Sequence, residues 1–299
     1  MNYNVFREQF TAEKLIFGAP MSEYTSFKVG GPADLMVLPA NPEEAKKAVL
    51  LCKANSFPYF IMGNGSNLVV KDSGVRGVII SLSKNFEKVE LLDGLTLRAD
   101  AGITLAKLAG FAAEHELSGL EFASGIPGTL GGAVYMNAGA YGGEMKDLIE
   151  TVRIINEDGN EFAMDNSELA FDYRSSIFQK SSYIITSCRL KLRKGSREQI
   201  KAAMLELNAR RKEKQPLELP SGGSTFKRPG GYYAAKLIED AGLKGFTIGG
   251  AKVSEKHAGF IVNYNNAAAG DIIALMEHVK SEVYSAFGIL LVPEVEIIG

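Results

Sequence analysis

Between Asn41 and Asn55 the chain reads NPEEAKKAVLLCKAN, with an apolar stripe through Val49 and Leu50 at helical spacing. Asn41 stands as N-cap, Pro42 takes the first helical position and Glu44 follows three residues after the cap, so a helix is predicted to start there. SREQIKAAMLELNARRKEKQ opens in the same way on Ser196 and Gln199. A third helix is predicted from Asp271 to Phe287, with Gly288 as its stop. Between the helices lie strand patterns: PYFIMG, VRGVIISL, KVELLDGLTLRAD, TVRIINEDGNEF and YIITSCRLKL. Asp93-Gly94 and Asp158-Gly159 read as hairpin turns. Short hairpin links favour antiparallel pairing over successive parallel units, so the expected class is α+β rather than a doubly wound sheet. A charge run and two prolines in RRKEKQPLELP suggest a boundary near residues 212 to 220, followed by a smaller α/β lobe. The apolar end, LLVPEVEIIG, is expected to be tied into a sheet.

Composition narrows the picture. At 299 residues the chain can hold two or three compact domains, and a formal net charge of −2 gives no long-range attraction to nucleic acid. No segment has the unbroken apolar length of a membrane span, and the N-terminus lacks a basic and apolar leader, so a cytoplasmic protein with no membrane partner is expected. Cys52 and Cys188 sit in apolar contexts without a metal-ligand pattern; buried reduced thiols and no metal site are expected.

Five segments carry candidate chemistry. GIPGTLGGAVYMNAGAYGG, from Gly125 to Gly143, and GNGSNLVV, from Gly63 to Val70, are dense in glycine and hydrogen-bonding side chains, a composition suited to lying against a phosphate or a flat ring. Neither matches a P-loop or a dinucleotide fingerprint. Two such segments point to an extended ligand with a phosphate middle. FDYRSSIFQK places Arg174 between aromatic and hydroxyl residues, which also suits an ordinary surface arginine. PSGGSTFKRPGG sets Ser224 after two glycines and before Lys227 and Arg228, without the pattern of a hydrolase elbow. Glu294, in VPEVEII, shares a strand face with Glu296 and reads as an edge charge or a functional carboxylate.

In order, TSFKVGGPADLMVLP, GNGSNLVV, GLEFASGIPGTLGGAVYMNAGAYGGEM, YRSSIFQ, GGSTFKRP, AGLKGFTIGGAKVSEKHAGFIVN and PEVEIIG resemble the UDP-N-acetylenolpyruvoylglucosamine reductase family over nearly the whole chain. The resemblance implies an FAD-binding fold of the vanillyl-alcohol oxidase and p-cresol methylhydroxylase type. It divides the chain into flavin subdomains at 1–85 and 86–195 and a substrate lobe at 196–299, with the final strand returning toward the active site. FAD is expected to be held without a covalent bond by Gly63, Asn64, Gly65, Ser66, Asn67, Ser124, Ile126, Pro127, Gly128, Thr129, Gly131, Gly132, Asn137 and Gly139. No histidine or cysteine in those loops offers a tether.

The family's activity implies NADPH as reductant and a sugar-nucleotide substrate, UDP-N-acetylglucosamine enolpyruvate, reduced to UDP-N-acetylmuramate for peptidoglycan. By motif position Ser224 resembles the proton donor, and Arg174 and Glu294 the residues that stabilise the reacting enolate. Arg211, Lys214, Lys227 and Arg228 are candidates for the substrate diphosphate, and His257 for a substrate contact. The related motif often carries asparagine at the place of Arg228. The short span between Arg174 and Ser224 resembles the family's shorter form, which lacks an extra substrate-capping loop. The rival readings are a flavin oxidase of the same fold, a non-catalytic flavin or sugar-nucleotide binder, and a nucleotide hydrolase.

Overall fold

A computed structural model describes residues 2–299, which form two compact units, each discontinuous in sequence. The first comprises 2–17, Leu35–Asn64 and Gly77–Arg210; the second comprises Gly18–Asp34, Gly65–Arg76 and Arg211–Gly299. The family resemblance implies cuts at 85 and 195, and the charge run with its two prolines suggests one near residues 212 to 220. The structure instead groups two short N-terminal segments with the C-terminal residues, and helix α4 (Arg197–Lys214) begins in the first unit.

The predicted helices form where their caps stand. In α1 (Pro42–Ala54) the Asn41 carboxamide accepts the Glu44 N–H at 2.9 Å, and the Glu44 carboxylate accepts Ala40 N–H and Lys14 Nζ. At α4 the Ser196 hydroxyl donates to Glu198, where the spacing predicted Gln199. Helix α6 (Ala269–Phe287) begins two residues earlier than predicted and ends at Gly288, whose φ is +69°. The early start follows from its caps. Asp271 accepts the N–H groups of Ala268 and Gly250, and Asp72 accepts those of Ala269 and Gly270. These anions suit the positive end of the helix.

Both hairpins occur. Strands β6 (Val89–Asp93) and β7 (Thr96–Asp100) turn at Asp93-Gly94, where the Asp93 carboxylate accepts Leu95 and Thr96 N–H. Strands β11 (Ile149–Ile155) and β12 (Glu161–Asp165) join through a turn held by the Asn156 carboxamide. With β13 (Ile184–Lys191) they make a five-stranded antiparallel sheet of order β12-β11-β13-β7-β6. Its buried side packs with α1 and α2 (Leu105–Glu114) into one core, including Leu97, Leu108, Val152 and Leu190.

The antiparallel expectation fails in the other large sheet, of order β1-β2-β5-β3, built from β1 (Leu15–Pro20), β2 (Pro32–Val37), β3 (Tyr59–Met62) and β5 (Val75–Ser81). There β3 and β5 run parallel. Val78, Ile79, Ile80 and Ser81 are all buried, as in the continuous apolar runs of parallel strands covered on both faces.

In the second unit α5 (Ala234–Asp240), α6 and the antiparallel strands β15 (Thr247–Ile248), β16 (Ala251–Val253) and β17 (Ile261–Asn263) enclose a core with Leu237, Ile272, Leu275 and Val279. The chain's last strand, β18 (Glu296–Ile298), pairs parallel with β4 (Leu68–Val70). Among the described residues no helix is long and apolar enough to cross a membrane.

Candidate active site

Strand β3 ends at Met62, and the glycine that follows meets the other glycine-rich segment. A Cβ built on Gly63 would lie 2.3 Å from Thr129 Oγ1. Only a residue without a side chain leaves room for the Thr129 side chain here. Thr129 is buried and caps α3 (Leu130–Tyr135), accepting Gly132 N–H at 3.4 Å. The first two helix donors are consumed inside the protein, Leu130 N–H by Ile103 O and Gly131 N–H by Ala101 O. Helix α3 is therefore braced by the chain rather than open to an anion. The N–H groups of Gly63 and Asn64 have no acceptor among the described residues.

The rest of the long loop is shaped from within. Asn137 is buried, and its carboxamide donates to Glu144 and to Asp172 O while accepting Lys146 N–H, each at 3.0 Å. Both amide hydrogens are committed, so Asn137 braces the loop instead of offering a donor to a ligand. Lys146, and then Asn137, hold the Glu144 carboxyl below the usual carboxylate range against the opposing effect of its partial burial. Ser124 is also buried, with its hydroxyl on Glu121 O. A Cβ on Gly131 would press on Ala101, and one on Gly139 on Glu144, so these two glycines serve packing.

Arg174 joins this assembly. It is half-buried, adopts φ +51°, and donates through Nη2 to Gly139 O at 3.0 Å, while Gln179 donates to its carbonyl. A non-glycine residue held in the left-handed region by surrounding bonds is a common mark of a functional position. The Arg174 segment and the glycine loop are thus tied at several points, Asn137 to Asp172, Arg174 to Gly139, and Ser176 Oγ and Gln179 Nε2 to Tyr135 O.

At Asn64–Gly65 the chain passes into the second unit. Gly65 has φ +61° and accepts Ser26 N–H, and a Cβ added to it would lie only 2.2 Å from Tyr24 O. Asn67 donates from Nδ2 to Glu294 O at 2.9 Å, and its own carbonyl accepts Glu296 N–H. Ser224 is exposed beside fully buried Thr225, whose carbonyl accepts Glu294 N–H at 2.8 Å. Phe226 bridges Pro293, and Lys227 N–H reaches Val292 O, so the Ser224 segment runs antiparallel beside the Glu294 segment. Ser224, Glu294 and Asn67 come together here, whereas Arg174 belongs to the first unit.

The expected substrate cations differ in setting. Arg211 is buried, 9% exposed, Lys227 is half-buried, and Lys214 is exposed. Arg228 lies 4.5 Å above the Tyr233 ring, a cation–π arrangement. His257 is half-buried and turns Nδ1 to Gly259 N–H at 3.2 Å, with its ring edge-on to Phe260. Thr225, Glu144 and Lys146 are not singled out by the sequence pattern. Their residue types are plain in the chain, but nothing local marks which of them join distant segments. A cavity of about 440 Å³ lined by Lys146, Asp147, Asn166, Ser167, Ala170 and Phe171 contains none of the expected site residues. Among the described residues no cluster of His, Cys, Asp and Glu could hold a metal ion.

Two family models match the chain: an FAD binding domain over residues 33–164 and the UDP-N-acetylenolpyruvoylglucosamine reductase C-terminal domain over residues 215–298. A UDP-N-acetylenolpyruvoylglucosamine reductase of Caldanaerobacter subterraneus is 51% identical over 286 residues, 96% of this chain and 94% of that protein. The protein of the same name from Clostridioides difficile is 51% identical over 280 residues, 94% of this chain and 92% of its own. The crystal structure of UDP-N-acetylenolpyruvylglucosamine reductase from Thermus caldophilus superposes with a TM-score of 0.82 at 38% identity, covering 95% of this chain and 98% of that one. An alkyldihydroxyacetonephosphate synthase shares the fold at 20% identity and a TM-score of 0.51, over 65% of this chain and 41% of its own.

Proposed function

The chain belongs to the UDP-N-acetylenolpyruvoylglucosamine reductase family, an FAD-dependent oxidoreductase family, and from that premise we propose that it reduces UDP-N-acetylglucosamine enolpyruvate to UDP-N-acetylmuramate for peptidoglycan synthesis. NADPH is the proposed reductant and the cytoplasm the proposed compartment. The substrate is a small sugar nucleotide, with no nucleic-acid or membrane partner.

The residues present fit FAD. Gly63 and Asn64 offer backbone N–H groups without internal acceptors, beside Thr129 at a distance that a Cβ would close. Such a turn suits a diphosphate. In the first unit Ser124, Ile126, Pro127, Gly128 and Thr129 would form a flavin wall with Gly63 and Asn64, shaped by Gly131, Gly132, Asn137 and Gly139; Gly65, Ser66 and Asn67, in the second unit, are assigned to the same cofactor. When bound there, FAD would supply hydride chemistry for C3 of the enolpyruvyl group, with NADPH as its proposed electron source.

The chain's own groups handle charge and proton. Arg174, steadied by Gly139, meets the enolpyruvyl carboxylate as negative charge develops, where a guanidinium fork is worth about 3 kcal/mol. Ser224 Oγ holds the proton for C2. A serine hydroxyl is a weak acid, so donation requires a strongly basic carbon and a neighbour that stabilises the alkoxide. Lys227 lies three residues on. Glu294 orients the intermediate or a water, with its backbone set by Asn67 and Thr225. Arg211, Lys214, Lys227 and Arg228 are assigned to the diphosphate.

The observation that carries this reading is the pairing of Thr225 with Glu294, which sets the Ser224 segment alongside the carboxylate segment. Anaerobic mixing of the yellow protein with NADPH, followed by the enolpyruvyl substrate, tests it. Bleaching and then recolouring is expected. Recolouring by oxygen alone, with the substrate inert, would make the protein an oxidase.

A further inference from the structure

Three hydrogen bonds run in series through the second unit. Gly259 N–H donates to His257 Nδ1 at 3.2 Å; Thr225 N–H donates to Gly259 O at 2.8 Å; Glu294 N–H donates to Thr225 O at 2.8 Å. The first of these constrains the imidazole. A ring nitrogen that accepts a hydrogen bond carries no proton, so His257 must be neutral with its hydrogen on Nε2. Protonation turns Nδ1 into a donor facing another donor.

The ring has little room to turn away. It sits edge-on to Phe260 at 5.0 Å, and a Cβ on Gly259 would lie 3.0 Å from His257 Cε1, so the imidazole is packed directly on the glycine it holds. Ser254 Oγ accepts the His257 N–H and fixes the turn behind it. Gly259 passes the constraint on through its carbonyl. Thr225, fully buried, has its hydroxyl on Ile261 N–H and cannot relax independently.

We propose that His257 is a positioning residue for the substrate step: its neutral Nδ1 fixes Gly259, Gly259 fixes Thr225, and Thr225 sets both Ser224, its chain neighbour, and Glu294. The proposal rests on the roles given above to Ser224 and Glu294. It assigns His257 a task other than touching substrate, and makes that task pH-dependent. Burial pushes the imidazole below its ordinary value; its own backbone carbonyl and Glu239, on α5, oppose this, and Lys244 pushes the same way as burial. Acid therefore loosens the series only below the usual histidine range.

Two substitutions separate the possibilities in the holoenzyme. His257→Asn places a carboxamide oxygen near the position of Nδ1, an acceptor that does not titrate. His257→Phe keeps the ring and removes the acceptor. The rate at saturating enolpyruvyl substrate, with flavin already reduced, is expected to fall in wild type as pH drops below about 6.5. H257N should lose that acid limb, and H257F should be slowed about tenfold across the range with substrate affinity and flavin reduction by NADPH nearly unchanged.

A glycine-selective ¹⁵N label supplies a readout apart from activity. The Gly259 amide should titrate with pH in wild type and stay flat in H257N. A Gly259 amide that does not titrate, an acid limb that persists in H257N, or an H257F that weakens substrate binding while keeping the saturated rate would each overturn the proposal. If Ser224→Ala leaves the substrate step intact while Gly259 still titrates, the reading of Ser224 fails and the hydrogen-bond series does not.

Discussion

Thr129 Oγ1 occupies the space beside Gly63 so closely that a Cβ there would sit 2.3 Å away. Two segments 66 residues apart in sequence are thereby held as one surface, and the threonine has two tasks, packing on Gly63 and capping α3. Gly63→Ala should lower stability by about 2 kcal/mol and release flavin. Thr129→Ala should cost about 1 kcal/mol through the lost cap. Because removing Oγ1 makes room for the new methyl group, the double variant should be destabilised by less than the sum of the two. Chemical denaturation and flavin absorbance of all three variants check this; strict additivity would mean that the close approach does not govern the site.

Asn137 tests the claim that the loop is braced from inside. Its carboxamide serves three partners at a buried position, so Asn137→Ala leaves Glu144, Asp172 O and Lys146 N–H to find others. A loss of about 2–4 kcal/mol is expected, since an orphaned buried group costs about 1–3 kcal/mol. Flavin content at low temperature should recover when excess FAD is added. Full stability with permanently lost flavin would instead make Asn137 a direct ligand.

What the sequence discloses here is mostly local. Asn41 and Glu44 announce α1, and Asp93-Gly94 announces its hairpin, because the cap and the turn are satisfied within four residues of where they are written. The glycine loops are equally plain, and the ordered motifs carry the family. The bonds that assemble the site are of another kind. Asn67 reaches Glu294 across 227 positions, and Asp72 caps a helix that begins 197 residues later. Nothing in either neighbourhood records the partner. The parallel pairing of β3 with β5 was hidden for a related reason: an apolar run states that a strand is buried, not which way its neighbour points.

Ser224→Ala should leave flavin reduction by NADPH near wild type and slow reoxidation by the enolpyruvyl substrate by about 100-fold or more, the effect of losing a positioned acid. The side chain is exposed, and the bonds of Thr225 that hold the segment are main-chain or its own. Stability should therefore change little. Stopped-flow measurement of each half-reaction decides; equal slowing of both would make Ser224 structural.

Arg174 has a structural bond as well as its proposed chemical task. Arg174→Lys keeps charge without the planar fork and should retain more substrate-step activity than Arg174→Ala, which is expected to fall by about 100-fold or more. Both variants lose the guanidinium bond to Gly139 O, so a drop in flavin affinity of about tenfold is consistent with one missing hydrogen bond. Single-turnover rates at saturating FAD separate the two effects. Wild-type rates restored by FAD alone would reduce Arg174 to a brace.

Glu296 gives the stability of the chain a pH dependence of opposite sign to that of His257. Burial raises the Glu296 carboxyl above its ordinary value near 4.5. A folded-state value above the unfolded one means that its contribution is fully present below about 4.5 and is lost as pH rises through the folded value. At neutral pH the strand β18 therefore carries a charged group that folding has partly stripped of water. For His257 the folded value is depressed, so its contribution is present above about 6.5 and is lost as pH falls. Glu296→Gln removes the first effect alone: it should raise Tm at pH 7 and above, with the gain shrinking toward zero as acid protonates the wild-type carboxyl. Its backbone bond to Asn67 O is unaffected by the change, which keeps the comparison confined to charge. Thermal unfolding of the two proteins at matched pH values measures the difference, and a gain that stays constant from pH 4 to pH 8 would place the origin in packing instead.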